Sequence, residues 1–208
     1  MPLDLWLAFV AASTALLLIP GPTVLLVLSY ALSKGRSVAL ASAAGVALGD
    51  LVAMSASLAG LGALVLASAT LFTALKWIGA AYLVWMGIKL LRSAPSEGLD
   101  ATPTREITTR SVFWHAAGVT ALNPKSIAFF IAFVPQFVTL NAPLLPQFVI
   151  LVATFVTLAA LNALAYALLA DRLRSTIRRP AVITWLTRSG GMALVAMGVM
   201  TATLRRSN

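Results

Sequence analysis

The amino-acid sequence predicts an all-α membrane protein with six transmembrane helices, arranged as two inverted repeats of three helices each. The first observation is composition: 60% of the 208 residues are hydrophobic and 10% are charged, whereas soluble domains have roughly 45–50% apolar and 25% charged residues. The second is that apolar runs of about 20 residues, long enough to cross a bilayer, recur along the chain. The third is a polar linker that divides these runs into two groups of three.

Six apolar runs are predicted as membrane spans, because a helix rises about 1.5 Å per residue and must cross hydrocarbon about 30 Å thick. Spans 1 to 6 cover approximately residues 5–32, 38–66, 67–91, 112–139, 144–170 and 183–204. The second and third runs are nearly continuous, so their boundary near Ala67 is the least distinct. We expect the lipid bilayer to surround all six helices.

A cytoplasmic linker over residues 93–110 separates a first repeat at about 1–92 from a second at about 111–208. Because each repeat has three spans, the two would enter the membrane from opposite sides, so similarity between them indicates an inverted repeat. Residues 79–87 and 190–198 are identical at five of nine positions. Two helices that use small residues independently for close packing would also match in this way.

Basic residues are concentrated on one side of the predicted spans, which is the cytoplasmic side by the positive-inside rule. The loops on this side carry Lys34, Arg36, Lys89, Arg92, Arg105, Arg110, Arg172, Arg174, Arg178, Arg179 and Arg188. The opposite side carries Lys76, Arg205 and Arg206. We therefore expect an inner (plasma) membrane protein with both termini outside. The formal net charge of +9 then reflects membrane orientation and not nucleic-acid binding.

Few side chains could carry out chemistry. The chain has no cysteine and one histidine, His115, so we expect no disulfide, no metal site and no cofactor. An intramembrane enzyme would need a nucleophile, a metal cluster or an acid–base pair, so we expect no enzymatic activity. His115 is interpreted as structural, and Gly45 and Gly49 as a helix-packing face.

Two predicted spans are interrupted near the middle of the membrane, the first by Pro20-Gly21-Pro22 and the fourth by Asn123-Pro124. Proline cannot donate a hydrogen bond to the carbonyl of residue i−4, so each interruption frees backbone carbonyls that need partners in hydrocarbon. Protein groups, water or a bound solute can supply them, and paired interruptions in two halves are typical of transporter sites. A simple kink is the alternative interpretation.

Asp50 in span 2 is the only acidic residue well inside a predicted span, and Lys125 lies at the break of span 4. Both are predicted roughly 18–20 Å from the cytoplasmic face. An ionised aspartate at this depth costs about 2.5–3.5 kcal/mol and a neutral one at pH 7 costs about 4 kcal/mol, so Asp50 can bind a proton or an ammonium alternately. The alternatives are a packing ion pair or a snorkelling lysine. Asn162 and Tyr166 in span 5 either complete a polar cavity or only join helices.

Several short motifs follow one another in a specific order along most of the chain. They are Pro20-Gly21-Pro22 with Leu25 and Leu26, Lys34-Gly35-Arg36 followed by Gly45 to Asp50, Lys76 to Gly87 with Lys89-Leu90-Leu91-Arg92, and Leu122-Asn123-Pro124-Lys125 with Phe129, Phe130 and Pro135-Gln136-Phe137. In these motifs the chain resembles the LysE/RhtB family of lysine exporters and threonine/homoserine efflux proteins. The linker and the residues after Ala170 match least.

The resemblance implies secondary export of amino acids or their derivatives from the cytoplasm, driven by the proton gradient or the membrane potential and without ATP. The family's motif positions in this chain are Pro20, Gly21, Pro22, Asp50, Asn123, Pro124 and Lys125. By analogy with other broken-helix carriers, the half-helix ends and Lys125 would hold a carboxylate, and Asp50 would hold the amine or a proton. The sequence does not identify the amino acid. The alternative functions that stay open are a passive channel, an exporter of another small polar solute and a scaffold. The oligomeric state also stays open, and a homodimer is one possibility.

Overall fold

The structure is a computed structural model that describes residues 1–19, 21–34, 36–92, 108–139, 142–177 and 180–203. Throughout these residues the regular secondary structure is helical, as the composition predicts. The helices are α1 (Leu3–Leu18), α2 (Pro22–Lys34), α3 (Arg36–Ala67), α4 (Ala69–Arg92), α5 (Thr109–Ala121), α6 (Pro124–Ala132), a 3₁₀ helix (Val134–Phe137), α7 (Leu144–Ile177) and α8 (Pro180–Thr203). Pro20 and most of the predicted linker lie outside the described residues.

Several helices have the length and hydropathy of membrane spans. Within the described ranges, three qualify individually: Val38–Ala63, Thr73–Arg92 and Leu144–Ala170. A fourth span results if Leu3–Leu18 and Thr23–Ala31, which are bent by 57°, are taken together. Many large apolar side chains are exposed on the helix surfaces, where hydrocarbon and not water suits them. The prediction of a helical membrane protein is confirmed, and the full count of six spans stays a prediction.

The boundary between the second and third predicted spans is a single residue. α3 ends at Ala67 and α4 begins at Ala69, with Ser68 between them. The Ser68 hydroxyl accepts a hydrogen bond from the backbone N–H of Leu71 at 3.2 Å, which satisfies one of the free donors at the start of α4. The predicted boundary near Ala67 is therefore confirmed.

The helices are interrupted where the proline motifs stand. α1 ends at Leu18 and α2 begins at Pro22, and residues 122–123 separate α5 from α6. Both α2 and α6 begin with a proline, which fits the first helical turn because its missing N–H would have no helical partner there. The side chain of Asn123 caps α6, since its Oδ1 accepts from the backbone N–H of Lys125 at 3.0 Å.

Small residues bring α3 and α5 into backbone contact. A Cβ added at Gly49 would lie 2.6 Å from the carbonyl oxygen of Ala117, and one added at Gly45 would collide with the carbonyl oxygen of Phe113. Only glycine allows helices to approach this closely. The predicted packing face is confirmed, and it holds Asp50, the residue after Gly49, beside the end of α5.

α4 and α8 also cross at glycines, and their contacts follow the alignment predicted between residues 79–87 and 190–198. A Cβ at Gly87 would lie 2.6 Å from the carbonyl oxygen of Gly191 and 2.9 Å from the backbone nitrogen of Val195. A Cβ at Gly198 would lie 2.8 Å from the carbonyl oxygen of Ala80 and 3.1 Å from the backbone nitrogen of Val84. The alignment pairs Gly87 with Gly198, Gly191 with Ala80, and Val195 with Val84, so the two sets of contacts are equivalent.

A cluster of buried phenylalanines joins α1, α6, the 3₁₀ helix and α7. Neighbouring ring centroids are 4.8–6.1 Å apart, which is the range of favourable aromatic packing. The members of this phenylalanine cluster are Phe9, Phe129, Phe130, Phe133, Phe137 and Phe155. The cluster fixes the far end of α6, and Lys125 lies at the near end.

Candidate functional site

The side chain of Lys125 ends at the break in the first predicted span. Its Nζ donates to the backbone carbonyl of Leu16 at 3.1 Å and to that of Ile19 at 3.0 Å. Lys125 lies on α6, whereas both acceptors belong to the last turn of α1 and the residue after it. The negative end of the α1 dipole favours a cation at this place. The lysine that follows one break is therefore bonded to the other break.

Two side chains of α7 bind the remaining carbonyls of the same turn. Asn162 Nδ2 donates to the carbonyl of Leu17 at 3.1 Å, and the Tyr166 hydroxyl donates to that of Leu18 at 3.3 Å. Together with the bonds of Lys125, every carbonyl in residues 16–19 accepts a side-chain hydrogen bond. The sequence left protein groups, water or a bound solute as partners for the freed carbonyls. In the structure, protein side chains are the partners of these four.

A short polar chain connects the two breaks on the other side of Lys125. Asn123 Nδ2 donates to the hydroxyl of Thr23 at 3.2 Å, and the hydroxyls of Thr23 and Thr120 are 3.4 Å apart. Thr23 is in the first turn of α2, and Thr120 is in the last turn of α5. The start of α2 is thus bound to the end of α5 and to the cap of α6.

Gly21 leaves room for the Lys125 ammonium between the two halves of the first span. A Cβ at this position would lie 3.3 Å from Lys125 Nζ and 3.6 Å from its Cε, closer than most real Cβ contacts. The motif Pro20-Gly21-Pro22 therefore combines prolines with a residue that has no side chain. This arrangement brings the backbone within reach of the lysine.

Asp50 is buried, with 2% of its surface exposed. Within the described part of the chain, its Oδ1 is buried and accepts no hydrogen bond. α3, which carries Asp50, packs against α6, which carries Lys125. α3 also touches the polar chain directly, since a Cβ at Gly49 would lie 2.7 Å from Cβ of Thr120. The carboxylate therefore retains acceptor capacity on a helix that packs against the one carrying the ammonium. A buried carboxylate oxygen without a partner is costly, and acidic residues inside membranes are by default functional.

The structure brings most of the predicted site residues together. Asn123, Lys125 and Asn162 are linked directly or through the carbonyls of α1, and Gly21 lies against Lys125. Asp50 follows Gly49, whose added Cβ would contact Thr120. Pro22 and Pro124 begin the helices that follow the two breaks, and Pro20 lies outside the described residues. Sequence reasoning missed Thr23 and Thr120. Their only signal was their position, one residue after the first proline motif and three before Asn123.

On the predicted cytoplasmic side of this site, α2 and α5 are joined again. The hydroxyl of Tyr30 and Nδ1 of His115 are 2.6 Å apart, and the two rings meet edge to face at 5.9 Å. His115 is exposed, and no group of three potential His, Cys, Asp or Glu ligands occurs among the described residues. The histidine connects helices, in agreement with its structural interpretation.

The chain is similar to known membrane proteins along nearly its whole length. The profile of the LysE type translocator family matches residues 14–205. A homoserine/homoserine lactone efflux protein of Salmonella typhimurium is 33% identical over 207 residues, covering 100% of both chains. An uncharacterized membrane protein of Vibrio cholerae is 36% identical over 207 residues, covering 99% of this chain and 100% of that protein. No solved structure matches the chain significantly.

The family match includes both helix breaks and every predicted site residue, from Pro20 to Asn162. A second uncharacterized membrane protein, from Pseudomonas aeruginosa, is 32% identical over 212 residues and covers 96% of this chain and 95% of its own length. These similarities agree with the apolar helices of the structure. The chain is thus a membrane transport protein that belongs to the LysE type translocator family.

Proposed function

We propose that this protein exports amino acids or their close derivatives from the cytoplasm across the inner membrane, as a secondary transporter coupled to the proton gradient. The observation that carries the proposal is a buried carboxylate with an unused oxygen beside a buried ammonium at a helix break. A zwitterionic solute has one group that matches each of these charges. The Salmonella relative, which is named for homoserine and homoserine lactone, supports this class of solute.

In the proposed site, Asp50 holds the ammonium group of the solute and Lys125 holds its carboxylate. A lysine ammonium has three N–H donors, and two of them bind the carbonyls of Leu16 and Ile19. Among the residues that the structure describes, the third N–H has no acceptor, and in the proposed site it donates to a carboxylate oxygen. Asp50 would release the ammonium when a proton replaces it, which couples export to proton entry. Asn123 and Asn162 set the shape of the site through their bonds to both halves of span 1.

The proposed topology has six spans, with a first repeat at about residues 1–92, a linker at 93–110 and a second repeat at about 111–208. The equivalent contacts of α4 and α8 support the inverted repeat, because they are related by exchange of the two halves. The concentration of Lys and Arg in alternate loops supports termini on the outside.

In this topology, packed side chains on each side of the site would block the path of the solute. The phenylalanine cluster would close the outer path, and the contacts of α2 with α5 through Thr23–Thr120 and Tyr30–His115 would close the inner path. Export would then need these two barriers to open in turn. A passive channel would not need them to alternate.

The test is transport by purified protein in proteoliposomes loaded with one amino acid at a time, with and without a pH gradient. We expect saturable efflux of homoserine-like amino acids that increases when the outside is acidic, and counterflow when unlabelled solute is present on the far side. Efflux without counterflow would favour the channel. Equal rates with protein-free liposomes for every amino acid and derivative would reject the proposed function.

A further inference from the structure

The carboxyl end of α1 has the features of a site for a positively charged group. Four consecutive carbonyls, those of residues 16–19, accept hydrogen bonds from side chains of α6 and α7. Two of them accept hydrogen bonds from one nitrogen, Nζ of Lys125, and the helix dipole adds negative potential at the same place. Asn162 and Tyr166 donate to the other two as neutral groups.

The groups around Lys125 Nζ are closely packed. Lys125 is buried, and Gly21 approaches so closely that an added Cβ would lie 3.3 Å from Nζ. The Lys125 side chain reaches this place from α6, whose amino end is fixed by the Asn123 cap and whose far end is fixed by the phenylalanine cluster. The ammonium and its acceptors are therefore held by packed elements and not by a mobile surface chain.

The acceptor set selects a primary ammonium over other cations. Two carbonyl oxygens at 3.0 and 3.1 Å lie at normal N–H···O distances. A hard metal ion takes about six or more oxygen ligands at shorter distances, so two oxygens would leave most of its coordination shell empty. A guanidinium is planar and wider than an ammonium, and the space beside Gly21 is already tight.

We propose that the carboxyl end of α1 is a binding site for a primary ammonium, which the chain fills with its own Lys125. Lys125 then joins the two broken spans through a cation. A small free alkylammonium should occupy the site when the lysine stem is removed. This inference depends on the bonded geometry alone and would stand even if the exported solute were not an amino acid.

The test is chemical rescue of the melting temperature of purified Lys125→Ala in detergent. Alanine lacks Cγ, Cδ, Cε and Nζ of lysine, and propylammonium has the same three carbons and one nitrogen. We expect the substitution to lower the melting temperature, and propylammonium to restore at least half of the loss in a saturable way. Propanol, which has the same length and no charge, should restore little.

Two matched variants control for general effects of the amine. Lys125→Met removes the charge and keeps the stem volume, so no space remains for propylammonium. Tyr166→Phe removes the hydrogen bond to the Leu18 carbonyl, and its loss of stability should not respond to propylammonium. Rescue of Lys125→Ala alone supports the site. No rescue of Lys125→Ala, or equal rescue of the two controls, would overturn it.

A second variant keeps the inference testable if Lys125→Ala does not fold. The chain has no native cysteine, so Lys125→Cys offers one thiol. Ethylammonium methanethiosulfonate attaches an arm that ends in an ammonium, and ethyl methanethiosulfonate attaches a neutral arm. We expect the charged arm to give the higher melting temperature. Equal melting temperatures with equal labelling would contradict the ammonium site.

Discussion

At the scale of single residues, Asp50 and Lys125 are in unlike situations. The Lys125 ammonium already donates to two carbonyls, so its removal breaks a cap of α1 and affects both fold and transport. Asp50 is buried, and within the described residues its Oδ1 has no hydrogen-bond partner. Burial of this carboxylate therefore destabilises the fold, and no hydrogen bond to Oδ1 from the described residues offsets that cost. This difference predicts that the two residues respond differently to substitution.

Asp50→Asn should lower transport by about tenfold or more, because a hydrogen bond to a charged group contributes about 1.5–3 kcal/mol and each 1.4 kcal/mol is about tenfold. The melting temperature should stay the same or rise, because the amide has the shape of the carboxylate without its desolvation cost. The measurements are proteoliposome efflux and thermal unfolding of the same preparation. A stable Asp50→Asn protein with full transport would remove the carboxylate from the mechanism.

At the scale of helices, the breaks are stabilised by side chains from the other half of the chain. α1 is capped by residues of α6 and α7, and α2 is bound to the Asn123 cap through Thr23. These contacts make the two broken spans interdependent. A substitution at one break should therefore change the stability of both spans.

Asn123→Ala should lower the free energy of unfolding by about 1–2 kcal/mol, because it removes the amino-terminal cap of α6 together with the bond to Thr23. Asn123→Ser is the matched variant, since serine is also a good cap but does not reach Thr23. It should regain part of the stability. Denaturant unfolding in detergent measures both, and an Asn123→Ala protein as stable as wild type would contradict the role of the cap.

Gly87→Ala and Gly198→Ala should each destabilise the crossing of α4 and α8 by about 1–3 kcal/mol, the usual cost of overpacking. The two effects should be similar, because the contacts of the two glycines are equivalent. Gly60→Ala is the control: among the described residues, no atom outside the adjacent backbone of its own helix lies within 4 Å of its added Cβ, so better helix propensity should stabilise by about 0.5–1 kcal/mol. Melting temperatures of the three variants test this, and strongly unequal effects at Gly87 and Gly198 would count against the repeat.

At the scale of the whole molecule, the proposed topology places the basic loops inside and both termini outside. The absence of native cysteine makes single-cysteine labelling clean. A membrane-impermeant maleimide should label Leu3→Cys in intact cells and Ser96→Cys only after the membrane is permeabilised. The reverse pattern would contradict the proposed topology.

Hydropathy was enough to predict the class of fold, and the proline motifs and intramembrane charges singled out Asp50, Asn123 and Lys125 as candidate site residues. Each of these carries a strong local signal, since charge and proline are costly inside a membrane. The partners of Lys125 could not be predicted in this way. Proline indicates that carbonyls are freed, but the donor comes from a helix more than 100 residues away. Thr23 and Thr120 were missed because a threonine in a membrane helix is ordinary until its neighbour is known.

In the proposed mechanism, buried opposite charges near the paired breaks bind the ammonium and carboxylate of one solute. Homoserine and homoserine lactone, the solutes named for the Salmonella relative, share a primary ammonium, and the lactone has no free carboxylate. In the proposed site the solute ammonium pairs with Asp50, so we expect the ammonium to be the indispensable group. Lys125 can still donate to a lactone carbonyl.

The most direct measurement is counterflow of labelled homoserine in proteoliposomes against three unlabelled competitors. Homoserine should compete best, homoserine lactone less well, and N-acetylhomoserine, in which the ammonium is replaced by an amide, hardly at all. Asp50→Asn should abolish the preference for the free ammonium. If N-acetylhomoserine competes as well as homoserine in the wild-type protein, the buried carboxylate does not recognise the solute and the account is wrong.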